Sequence, residues 1–140
     1  GMVFAVDISR PCVLMILRER REQKVENGVG VVNSPCDVML DAQSIEIALS
    51  VDTYHHFEYP KSMVASIHKA LRSGGRLIVI DFRKHPGKSS DWVMGHVRGN
   101  KAQVIQELRE AGFRLVDDKP LMRTNYFLEF VKAGKETGEE

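Results

Sequence analysis

The segment Ser73-Gly74-Gly75-Arg76-Leu77-Ile78-Val79-Ile80-Asp81-Phe82 decides how the rest of the chain is read. From Leu77 to Phe82 it sets five apolar residues around one aspartate. A glycine pair that can stop a helix precedes the run, and the turn signal Arg83-Lys84-His85-Pro86-Gly87 follows it. So short and continuous an apolar run reads as a strand buried on both faces. Such a strand belongs to a sheet with helices on either side, and its aspartate lies where the strand leaves the sheet.

Working outward, Val3 to Asp7 is another short strand ending in an acid. Ser9 can cap a helix with Pro11 in its first turn. Val13, Leu14 and Leu17 give that helix a buried stripe before "RERREQK", and Asn27-Gly28 stops it. Val29 to Val32 and Ile45 to Val51 read as strands on either side of "NSPCD", which is turn chemistry. Pro60 opens a helix whose Met63, Val64, Ile67, Ala70 and Leu71 share one face, and the glycine pair ends it. Asn100 and Gln103 fit a capping box for a helix carrying Val104, Ile105, Leu108 and Ala111. Gly112 ends it, and "FRLV" and "YFLEF" follow as two strands joined by a loop, a connection that favours antiparallel pairing. Strands alternating with helices call for a mostly parallel sheet covered on both faces, with ligands beyond the carboxyl ends of its strands. Asp7, Asp52 and Asp81 all stand at such ends.

The 140 residues suit one domain, residues 1–140, with a polar tail at 134–140. Hydrophobic residues make up 43% and charged residues 28%, and the net charge of +1 offers no basic field for nucleic acid or an anionic membrane. The apolar runs are too short to span a bilayer. Gly1 ahead of Met2 reads as a cloning remnant, with Met2 as the expected start and no secretory signal after it. The two cysteines, Cys12 and Cys36, form no Cys-x-x-Cys, so the expectation is a reduced, cytoplasmic protein. Cys12 is expected in the core. For Cys36 no activating neighbour is evident.

Chemistry concentrates at three places. Asp7 can accept hydrogen bonds from both hydroxyls of a ribose, or simply favour the start of the helix after it. Asp37, in "PCD", can meet an adenine amino group, or serve as an ordinary turn residue. "VDTYHHF" puts Asp52, Tyr54, His55 and His56 at the mouth of the expected crevice. There an imidazole can take or orient a proton, or one histidine can pack while the other is solvated. Adjacent histidines diverge and no further ligands are spaced to match, so a metal site is not expected. Asp81 is either a pocket acid or, as the preferred reading, a solvated strand end, and Tyr59 reads as a packing residue. "SSDWVMGHVRG", with Trp92, Met94 and His96, is either a lid or a loop that buries its tryptophan.

"VFAVDIS", "SVDTYHHFEYPKSMVASIHKALRSGGRLIVIDFRK" and "HVRGNKAQVIQELREAGFRLV…NYFLEF" together resemble the class I S-adenosylmethionine-dependent methyltransferases. The closest likeness is to the small-molecule type with Tyr-His-His-Phe after the fourth strand. It runs from about Val3 to Ala133. The resemblance implies an α/β, Rossmann-like methyltransferase sheet, mostly parallel with one antiparallel strand near the C-terminus. It implies S-adenosylmethionine as cofactor, with Asp7 on its ribose, Ile8 under the adenine, and Asp37 on the adenine amino group beside Cys36. Ser50, Val51 and Asp52 match the segment passing the methionine end. Tyr54, His55 and His56 match the acceptor side, where Tyr54 and His55 are the catalytic candidates.

One departure stands out. The family's first strand, Gly-x-Gly-x-Gly loop and following helix precede the residue matching Val3, and this sequence does not contain them. An N-terminally truncated fold is the expectation. The strands Val3 to Asp7 and Ile45 to Val51 would flank the missing central strand. Their edges would then pair with each other, bind a second copy, or leave the fold loose. A homodimer through these exposed edges is expected, alongside a small-molecule acceptor. The other reading is a catalytically incompetent relative serving as a dimeric scaffold or binding module. A nicotinamide oxidoreductase shares the acid after a strand but not the Tyr-His-His-Phe segment.

Overall fold

The computed structural model describes residues 1–84, 90–92 and 100–134. The chain begins with β1 (Val3–Asp7), α1 (Arg10–Glu22) and β2 (Gly28–Val32). Ser9 caps α1 by accepting the Cys12 backbone N–H at 3.3 Å, and Pro11 sits in the first turn, where no intrahelical bond needs its missing N–H. β1 and β2 run parallel in a two-stranded sheet, Val3 opposite Gly28 and Asp7 opposite Val32. Gly30 lets α1 lie close on this sheet. A Cβ there would stand 2.7 Å from Val13 Cγ1 and 3.1 Å from Leu17 Cγ.

The chain continues through β3 (Ile45–Val51), a 3₁₀ turn (Tyr54–His56), α2 (Pro60–Ala70), β4 (Leu71–Phe82), α3 (Lys101–Glu110), β5 (Phe113–Asp118) and β6 (Asn125–Lys132). Its four strands form a second sheet in the order β3-β4-β6-β5. β3 pairs parallel with β4, while β6 pairs antiparallel with both β4 and β5, so this sheet is mixed. Asn100 caps α3 as its sequence suggests, accepting the Gln103 N–H at 3.0 Å.

The glycine pair does not end α2. That helix closes at Ala70, and the chain enters β4 at once. Gly74, at φ 75°, and Gly75 lie inside β4, where the register slips from Ile45 facing Leu71 to Ile47 facing Arg76. A bulge of this kind needs backbone that turns left-handed without a Cβ penalty, and glycine supplies it.

The main core lies between the four-stranded sheet and two helices on one of its faces. Met63, Val64 and Ile67 of α2 and Val104 and Leu108 of α3 close on Leu77, Val79, Leu128 and Phe130. On the other face, Ile47, Leu49 and Val51 of β3 are 62%, 64% and 47% exposed. Among the described residues, then, helices cover this sheet on one face only, against the expectation of two. The two sheets share no ladder. The free edges of β1 and β3 do not pair with each other, against the expectation that these two strands could close on one another. The segment around Met94 and His96 and most of the tail lie outside the described residues.

Candidate functional site

Asp52 follows β3 with a left-handed backbone at φ 51°. Its N–H donates to Ile80 O at 2.8 Å, and its carboxylate accepts Asn125 Nδ2 at 2.8 Å. Thr53 Oγ1 folds back onto Val51 O at 2.8 Å, and the Tyr54–His56 turn begins there. That turn drives Tyr54 and His55 inward and leaves His56 exposed.

β4 brings Asp81 to meet the turn. Strand alternation sends Leu77, Val79 and Asp81 to the helix-covered face, and Asp81 is only 1% exposed. It is therefore not the solvated strand end that its sequence position suggests. Its Oδ2 accepts the His55 backbone N–H at 3.0 Å, and its Oδ1 accepts the Phe82 N–H at 2.8 Å. The same Oδ1 lies 2.7 Å from His55 Nδ1. An ionised carboxylate can only accept, so Nδ1 carries the hydrogen, and in the neutral ring Nε2 keeps a bare lone pair, a tautomer inferred from the bonding. That Nε2 is buried and has no partner among the described residues. An unmet buried polar atom costs about 1–3 kcal/mol. The His56 ring lies 4.0 Å from the His55 ring, centroid to centroid. Phe82 stands edge-on at 5.7 Å and itself meets Trp92 at 5.5 Å.

Tyr54 is held differently. It is buried in the core, and its hydroxyl donates to Glu107 Oε2 of α3 at 2.6 Å. The bond anchors the turn to α3. Tyr59, read from sequence as a packing residue, is instead half exposed, and Cys12 is only partly buried.

The nucleoside candidates sit at the ends of β1 and β2. Asp7 Oδ1 accepts the Ser9 N–H at 2.8 Å, and its second oxygen has no partner among the described residues. Ile8 beside it is exposed. The Asn33 N–H bonds Asp7 O at 3.1 Å, and the Ser34 N–H bonds Asp37 O at 3.1 Å, so the turn carrying Cys36 and Asp37 hangs from the same strand ends. Asp37 Oδ1 accepts the Met39 N–H at 2.7 Å. Cys36 and Asp37 are exposed, and with Ser62, Ser66 and Lys69 of α2 they line a cleft of about 370 Å³. The hydroxyl of Ser50 is buried without a partner among the described residues, and Val51 is half exposed.

The structure thus gathers Asp52, His55 and Asp81 at the ends of β3 and β4. Asp7 and Asp37 gather at the ends of β1 and β2, and no hydrogen bond among the described residues joins the two groups. The sequence leaves Asp81 between a pocket acid and a solvated strand end and favours the second, which its burial rules out. The signal for burial was its even spacing from Leu77 and Val79. Among the described residues no group of three or more His, Cys, Asp or Glu could hold a metal ion, and no helix is long and apolar enough to cross a membrane.

A crystal structure of an S-adenosylmethionine-dependent methyltransferase from Aquifex aeolicus superposes with a TM-score of 0.84 at 15% identity, covering 95% of this chain and 70% of that one. The Burkholderia thailandensis 1,6-didemethyltoxoflavin-N1-methyltransferase, solved with 1,6-didemethyltoxoflavin and S-adenosylhomocysteine bound, gives 0.68 at 22% identity, covering 95% of this chain and 62% of that one. The [4+2]-cyclase SpnF gives 0.74 at 18%, covering 84% of this chain and 44% of that one. The chain therefore spans under two thirds of the length of these last two. At such identities the likeness shows the fold, and the cyclase among these neighbours is a reminder that one fold hosts more than one chemistry. Among curated proteins none matches the chain. The profile of the methyltransferase domain family matches residues 1–79, over half of the sequence, and the chain belongs to that family.

Proposed function

We propose that this chain takes part in methyl transfer from S-adenosylmethionine to a small molecule. Asp7, Ile8, Cys36 and Asp37 face the nucleoside, while Ser50, Val51 and Asp52 lie by the sulfur end. The turn carrying Tyr54 and His55 stands on the acceptor side. The observation that carries this reading is the position of both acid-bearing groups at strand carboxyl ends, where such sheets take their ligands. When bound, the cofactor supplies an electrophilic methyl group on a sulfonium sulfur. The residues fit its nucleoside end: Asp7 and Asp37 each keep a carboxylate oxygen without a partner among the described residues, and Ile8 offers apolar surface. For the amino-acid end, the described residues contain no glycine-rich turn. Such a turn, with its strand and helix, would enter between the free edges of β1 and β3, from residues ahead of this chain or from a second copy. Tyr54 holds the turn in place through Glu107.

Calorimetric titration with S-adenosylhomocysteine tests this reading. Wild type is expected to bind. Asp7→Ala is expected to weaken binding by roughly 10-fold or more, since each bond to a charged acceptor contributes about 1.5–3 kcal/mol. Silence in both proteins overturns the cofactor site.

A dimeric scaffold is the second reading. It is favoured by the bare apolar face of β3, where Ile47, Leu49 and Val51 lie exposed beside an unpaired edge. Light scattering that returns a dimer, from a protein that ignores S-adenosylhomocysteine, would leave this reading standing.

A further inference from the structure

Nucleoside binding makes no use of the buried His55–Asp81 pair. Asp81 accepts three hydrogen bonds, two of them from His55, so the imidazole is fixed in orientation as well as in tautomer. Its Nε2 is withdrawn from solvent and unpartnered among the described residues. An imidazole backed by a carboxylate at Nδ1 and bare at Nε2 is arranged to receive a proton. The surroundings are aromatic: His56 and Phe82 flank the ring, and Trp92, 51% exposed, carries the aromatic wall outward.

Resting on the methyltransferase reading above, we infer that the methyl acceptor is a hydroxyarene, with His55 as the base that receives its proton and Asp81 as the positioning residue. A neutral hydroxyl is a weak nucleophile unless its proton leaves as the new bond forms. A thioether, a pyridine or a metalloid lone pair has no proton to lose and would leave this pair without a task. In the step, the acceptor oxygen's lone pair forms the bond to the methyl carbon. The carbon–sulfur bond breaks with its electron pair on sulfur, and the O–H proton passes to Nε2. Asp81 holds the imidazolium, which returns its proton to water once the methyl ether has left. The flat walls of Phe82 and Trp92 select an aromatic acceptor over an aliphatic alcohol. His56, exposed and with its ring tilted 43° to that of His55, is the ring that an incoming acceptor displaces.

Ring-nitrogen NMR on the wild-type protein tests the geometry without turnover. Expected is a His55 ring protonated at Nδ1 and bare at Nε2, with Asp81→Asn shifting it toward the other tautomer. A wild-type ring protonated at Nε2 overturns the inference. Titration with S-adenosylhomocysteine separates this result from the underlying reading: failure to bind sinks the cofactor site and leaves the tautomer intact. Labelled S-adenosylmethionine is then supplied with catechol or 4-nitrophenol, against thioanisole or pyridine. Methylation of the hydroxyarenes is expected, with kcat lowered by roughly 10²–10⁴-fold in His55→Gln and KM little changed. Three results overturn the acceptor class: binding without hydroxyarene turnover, transfer to the proton-free probes alone, or a fully active His55→Gln. If the buried substitutions fail to fold, the wild-type ring spectrum and acceptor panel still decide.

Discussion

Asn125 Nδ2 donates to Asp52 Oδ1 across 2.8 Å, tying the start of β6 to the residue after β3 although β4 lies between those strands. The bond steadies a backbone at φ 51°, a conformation that costs a residue with a Cβ roughly 1–3 kcal/mol. Asn125→Ala should lower stability by about 1 kcal/mol, since this bond is exposed. Amide exchange of residues 52–57 should quicken by more than that of β4, measured by hydrogen-exchange mass spectrometry.

Tyr54→Phe should cost about 1–3 kcal/mol in urea unfolding. It removes a 2.6 Å bond to a carboxylate while keeping the buried ring. Because that bond holds the turn bearing His55, the loss should also broaden the His55 ring signals.

Gly30→Ala should destabilise by about 1–3 kcal/mol through overpacking against Val13 and Leu17. The two sheets share no ladder, so protection should fall across residues 3–32 and persist in β4 and β6. Uniform loss across both sheets would show that they unfold as one unit.

Leu49→Lys tests the dimer. Leu49 is 64% exposed on an edge strand, and a charge there opposes pairing with another copy. Wild type should scatter as a dimer and the variant as a monomer. Equal masses would exclude this face.

Phe130→Ala should cost about 3–5 kcal/mol, because the side chain is fully buried between the sheet and its helices. The measurement is the urea midpoint at unchanged slope.

Local chemistry made much of the fold legible. Strands β1 and β3, the Ser9 and Asn100 caps and the antiparallel last pair follow from alternation, capping and short connections, all of which act within a few residues. The glycine pair misled because a glycine stops a helix and shapes a bulge by the same backbone freedom. Only pairing with β3 decides which it does. Asp7 and Asp37 at strand ends, and the histidines after β3, were likewise readable from position. The sequence by itself determined the alternation of strands and helices and the acids at their ends, because periodicity and turn chemistry are local. The bond between Asp81 and His55, the withdrawal of Tyr54 to Glu107, the bare face of β3 and the separation into two sheets were decided only by tertiary structure. Each depends on which distant segment arrives to cover, pair or accept, and residue spacing along the chain does not encode that arrival.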